Sequence, residues 1–180
     1  MPAPNLSPEQ ITELSASVAE YISCQRTHFR ERATNLSTSQ KSVLAGFFRL
    51  DLLATTRILV LENERVANPA FYPALRALGF ANLPDFAFMA AVTFGDVIVS
   101  NEPFTNGLLF HEFVHAEQYR QLGIPRFADL YVRGFLTGGR YDGIPLEIHA
   151  YALGDCFESA PGVPFSVESE VASWIKQGKF

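Results

Sequence analysis

Apolar and polar positions alternate along this chain in two rhythms, and the points where the rhythm changes mark out its elements. Ser7-Pro8-Glu9-Gln10 has the form of a helix opening: a hydroxyl cap, a proline in the first turn and a glutamine three residues after the cap. Ile11, Leu14, Val18, Ile22 and Phe29 follow at helical spacing, which predicts a helix to about residue 32. A second helix is expected from Ser37 to about Phe48. Residues 56–61 are β-branched and apolar and read as a buried strand. Residues 69–78 read as a helix closing at Gly79. Residues 86–93 and 94–100 read as two strands, with Gly95-Asp96 near their junction. Helices are then expected over about 106–122, at 126–136, from Pro145, and from about 166 to 177. Gly134, Gly138, Gly139 and Gly143 make the stretch 134–144 read as a loop.

The 106–122 helix carries the chemistry. His111-Glu112-Phe113-Val114-His115 is an H-E-x-x-H pattern, and it uses two of the 4 histidines in the chain. Positions i and i+4 of a helix share a face one turn apart, so both imidazoles can reach one metal ion. Glu112 then lies beside the open side of that ion, where it can take a proton from an activated water. Thr105-Asn106-Gly107 reads as the start of this helix and Gly123 as its end. Leu108, Leu109, Phe113 and Ala116 form its apolar side; His111, His115 and Tyr119 follow one another at a spacing of four on another side. The bland alternative is an amphipathic helix that merely exposes two histidines.

A catalytic zinc site needs a third protein ligand. No histidine follows His115 closely, which excludes the extended metzincin pattern. Ile144-Pro145-Leu146-Glu147 offers a carboxylate early in a second helix, and Glu147 is the expected third ligand. His149 competes for that place, but two residues along a helix is about 200° around its axis, so the two cannot easily face one ion. Tyr151 shares a face with Glu147 and is the first choice as a hydrogen-bond donor to the transition state, with Tyr141 and His149 behind it. His28 carries no functional signal.

Three stretches together resemble a known family: 90–99 with its Thr93-Phe94-Gly95 turn, 107–118 with the motif and Gln118, and 146–151 with Glu147. They are similar to small bacterial gluzincin-like domains of the DUF4157 type, over roughly residues 55–155. The chain differs from that pattern in carrying Phe110 and Phe113 where smaller aliphatic residues are common. The resemblance implies an α+β, zincin-like fold: a small mixed or antiparallel sheet, an active-site helix, and additional N- and C-terminal helices. It implies a zinc metallopeptidase with Zn2+ on His111, His115 and Glu147, and Glu112 as general base. It also implies that the strand before the metal helix, 97–100, runs along the cleft edge, where an extended peptide could pair with it. The alternative position for this strand is inside the sheet. Two other functions stay open: a metal-binding interaction module without activity, and a hydrolase of a non-peptide amide.

Composition narrows the choice. A length of 180 residues with 48% hydrophobic positions and 16 Phe can bury a sizeable core. One domain over 1–180 is expected, with a helical part at 1–54, a peptidase-like core at 55–155 and a C-terminal helix in 156–180. The formal charge of −5 and the lack of any basic run argue against nucleic-acid binding. No apolar run has the length of a membrane span. Met1-Pro2-Ala3-Pro4-Asn5 has neither the basic nor the apolar region of a secretory leader. Cys24 and Cys156 are read as two reduced thiols, so a cytoplasmic protein acting on a peptide or protein substrate is expected.

Overall fold

The computed structural model describes residues 4–180. The leader reading rests partly on residues 1–3, which lie outside the described residues. Helix α1 (Pro8–Arg30) opens with a full capping box: Ser7 Oγ accepts from Gln10 N–H, and Gln10 Oε1 accepts from Ser7 N–H. Ser15, Ile22 and Phe29, seven residues apart, are its buried stripe. Ser37 and Gln40 repeat the capping box at α2 (Thr38–Leu44). This helix stops short of the expected Phe48, because the chain turns at Gly46, whose φ of 88° suits glycine. A short helix that sequence reading did not foresee, α3 (Leu50–Thr55), follows.

Four strands form one mixed sheet in the order β1-β2-β4-β3. β1 (Thr34–Asn35) pairs antiparallel with β2 (Arg57–Val60), which runs parallel to β4 (Val97–Ser100). β3 (Ala91–Phe94) completes the sheet antiparallel to β4. Gly95, with φ 68°, takes the first of the two turn positions between Phe94 and Val97, which suits a primed hairpin turn. The α+β class with a small mixed sheet is therefore present.

The expected position of 97–100 is corrected by this order. β4 lies inside the sheet, and all four of its residues are buried. Ile98 packs into one core cluster and Val97 and Val99 into the other, so the strand is covered on both faces. β3 is an edge strand instead, with β1 at the other edge. β3 also begins later than the expected residue 86. Side chains hold the preceding turn: Asn68 Oδ1 accepts from Phe86 N–H, and Asn101 Nδ2 donates to Met89 O at 2.7 Å. These bonds take backbone groups that a strand would have used.

Between β2 and β3 in the chain lies α4 (Tyr72–Ala77), shorter than the expected 69–78, with Gly79 at φ 100° behind it. Helix α5 (Asn106–Gly138) runs through the molecule and is broken at Gly123, with φ 73° and ψ 160°. The two helices expected on either side of this glycine are its two halves. From Leu109 to Tyr119 every side chain except His111 is buried, so this half is enclosed almost all round. Phe110 stacks on Phe157 at 4.3 Å, and Phe113 meets Phe48 at 5.5 Å. Phe110 and Phe113 thus fill the core beneath the motif.

Residues 134–138 do not form the expected loop; they are helical. Their glycines serve close approach. A Cβ on Gly134 would come within 2.6 Å of Pro145 Cδ, and one on Gly138 within 2.8 Å of Gly143 O. The end of α5 can therefore press against the turn at Tyr141–Gly143 and the start of α6 (Pro145–Ser159). Helix α7 (Val167–Lys176), capped by Ser166, closes the chain. Buried Glu117 accepts both arms of Arg120, and Arg120 and Arg49 both reach Glu168, which ties α5 to α7. No helix among the described residues is long and apolar enough to cross a membrane.

Candidate metal centre

His111 and His115 lie one turn apart on the first half of α5, and Glu147 lies in the first turn of α6. The glycine contacts at Gly134 and Gly138 draw these two helices together. His115 Nε2 is 3.2 Å from His111 Nε2 and 3.2 Å from Glu147 Oε2, and His111 Nε2 is 3.5 Å from Glu147 Oε2. Three nitrogen and oxygen donors thus converge at one point, and this cluster could hold a metal ion. His115 and Glu147 are buried, while His111 keeps partial contact with solvent.

The orientation of His115 is set from behind. Gln118 Nε2 donates to Leu146 O at 3.1 Å, which leaves Gln118 Oε1 facing His115 Nδ1 at 2.9 Å. An amide oxygen can only accept, so Nδ1 carries the proton and donates. Nε2 is then the ring atom that faces His111 and Glu147, the one a metal ion would bind on displacing its proton. Charge in the cluster is mutual. Burial alone would lower the His115 pKa, but the Glu147 carboxylate, with smaller help from Glu112 and Gln118, pushes it up to about 9. Burial would raise Glu147, yet the two imidazoles hold it well below the usual carboxylate range.

Glu112 is also buried, on the side of α5 that faces β3. Thr93 Oγ1 lies 2.6 Å from Glu112 Oε2, and the hydroxyl donates to it. Thr93 therefore links β3 to the carboxylate expected to act as base. In the sequence, Thr93 marks the hairpin and carries no role of its own. The available signal was a hydroxyl among apolar residues on the first strand of the hairpin that precedes the motif.

The expected donors separate clearly. The Tyr151 ring lies 4.5 Å from the His111 ring and is half exposed at the rim of an open groove. That groove has a volume of about 430 Å³ and is also lined by Met89, Ala91, Glu112 and Tyr141. Tyr141 is more enclosed. Burial, then the neighbouring charges led by Glu147, raises its pKa well above the ordinary value, so its hydroxyl stays protonated. His149 is on the far side of α6, stacked on Trp174 at 4.0 Å, and burial lowers its pKa to about 4. It takes no part in the cluster, in keeping with the 200° that separates it from Glu147. Cys24 and Cys156 are both free and exposed.

No family model, no curated protein and no solved structure matches this chain.

Proposed function

We propose that this protein is a zincin-like metallopeptidase in which His111, His115 and Glu147 hold Zn2+ and Glu112 is the general base. The observation that carries this reading is the size of the donor triangle. A tetrahedral zinc with N and O ligands near 2.0–2.1 Å sets any two of them about 3.3 Å apart. The three edges here are 3.2, 3.2 and 3.5 Å. Two imidazoles and one carboxylate are also a donor set of catalytic zinc sites, which keep a fourth position open. Bound there, the ion supplies Lewis-acid activation of a water and of the carbonyl under attack.

The chain's own groups supply the rest. Glu112 takes the proton of the attacking water and delivers it to the leaving amine. Thr93 engages Oε2 of Glu112, which aims the carboxylate and leaves its other oxygen for the water. Tyr141 and Tyr151, both on the groove, are placed to donate to the developing oxyanion. A peptide suits the groove because Ala91 of β3, an edge strand, lines it together with His111 and Glu112, so an extended chain lying there would run beside that edge.

The test is Glu112→Gln, assayed with zinc content on a mixture of quenched fluorescent peptides. Zinc is expected to stay near one per chain while hydrolysis falls at least about 100-fold. Full activity in that variant would remove Glu112 from the mechanism. Zinc binding without hydrolysis by the wild type would point to a metal-bound interaction module.

A further inference from the structure

Behind the donor triangle lies a second cavity, which adjoins the open groove and shares Met89, Ala91, Glu112 and Tyr141 with it. It is bounded by α1, the loops around Pro69 and Phe86, β3 and the second half of α5, and it reaches Glu112, His115 and Glu147. Its walls are aromatic. Tyr21 stacks on Phe86 at 5.6 Å, and Phe86 lies against Tyr72 at 6.3 Å. Opposite them Tyr119 stacks on Phe127 at 3.7 Å, and Phe127 lies parallel to Tyr131 at 6.2 Å. The hydroxyl of Tyr21 is occupied by Ala67 O at 2.7 Å, so it has a partner outside the cavity. The break at Gly123 lets α5 change direction before Phe127 and Tyr131, which places both rings on this wall.

We infer that this cavity is the specificity pocket of the site and takes one bulky apolar side chain, of leucine or phenylalanine size, from the substrate residue next to the bond cleaved. The inference rests on the metallopeptidase reading above. Size supports it: the cavity measures about 70 Å³. One water needs roughly 10–15 Å³, so there is room for roughly five to seven water-sized groups. Chemistry supports it too. Apart from Thr93 and the metal-site residues, the lining is apolar or aromatic, so a charged side chain would lose its hydration without gaining an ionic partner of its own. The two carboxylates at the inner end, Glu112 and Glu147, are already engaged by Thr93 and by the imidazoles.

The experiment measures binding, so it does not depend on turnover. Zinc-loaded protein is titrated calorimetrically with four hydroxamates: acetyl, 4-methylpentanoyl, 3-phenylpropanoyl and 4-aminobutanoyl. The two apolar extended probes are expected to bind at least about 30-fold tighter than the acetyl probe, and the cationic one no tighter than it. Val18→Trp and Val92→Phe each add bulk to the cavity lining without touching a metal ligand. Either variant, checked for a wild-type circular dichroism spectrum, is expected to cut the preference below about 3-fold and leave acetyl binding unchanged. Equal affinities in the wild type, a preference for the cationic probe, or a preference that survives both variants would overturn the pocket. If no hydroxamate binds while zinc does, the open metal position fails instead. Toluene binding to the metal-free protein, followed by methyl NMR, then decides the pocket alone. Shifts at Val18 and Ile22 support it, and their absence overturns it.

Discussion

At the scale of single residues, the donor cluster depends on groups outside it. Gln118 bridges Leu146 O on α6 and His115 Nδ1 on α5, so one amide couples the two helices that carry the donors. Removing such a partner of a metal-bound histidine typically weakens metal affinity by about 10–100-fold. Gln118→Leu is expected to show a loss in that range in zinc competition against a chromophoric chelator. Gln118→Glu, which keeps an acceptor for Nδ1–H, is expected to recover part of it. An unchanged zinc affinity in the leucine variant would mean that the ring is held by packing alone. The motif residues were legible in the sequence because H-E-x-x-H is a local pattern, and Glu147 because it sits early in a helix that Pro145 marks. Thr93 was less legible: its importance comes from a contact across the fold with Glu112, which lies 19 positions away in sequence.

At the scale of elements, the decisive contact is between the end of α5 and the start of α6. Glycines at 134, 138 and 143 read as loop formers, since nothing in a single sequence separates a glycine needed for a turn from one needed for close packing. Their contacts show the second use. Gly138→Ala would press a methyl against the Gly143 carbonyl, a backbone atom with little freedom to withdraw. A stability loss of about 1–3 kcal/mol is expected, read by urea denaturation. Because Glu147 follows Gly143 within one helical turn, zinc affinity is expected to fall in the same variant. A destabilised variant that kept full zinc affinity would show that Glu147 is positioned independently of this contact. The sheet teaches a similar lesson. The apolar run of β4 fits a strand covered on both faces, and pairing with β2 and β3 put it inside, leaving β3 at an edge.

At the scale of the whole molecule, the donor cluster joins distant parts of the chain, so metal binding and folding are expected to be linked. Free zinc at 100 times its dissociation constant adds about 2.7 kcal/mol to the stability of the form that binds it. For a chain of this length that corresponds to an upward shift in Tm of about 5–10 °C. Calorimetric melts with and without zinc should show it, and His115→Ala should lose most of it. A shift of the same size in that variant would place the stabilising metal elsewhere. Local signals such as caps, apolar periodicity and a five-residue motif act over one or two helical turns. They were enough to reveal most helices, the hairpin, the paired histidines and Glu147 as the residue that joins them. The inner strand, the glycine-packed helix junction, the Thr93–Glu112 bond and the aromatic cavity had to await the folded chain. Each joins residues far apart in sequence, and only packing brings such residues together.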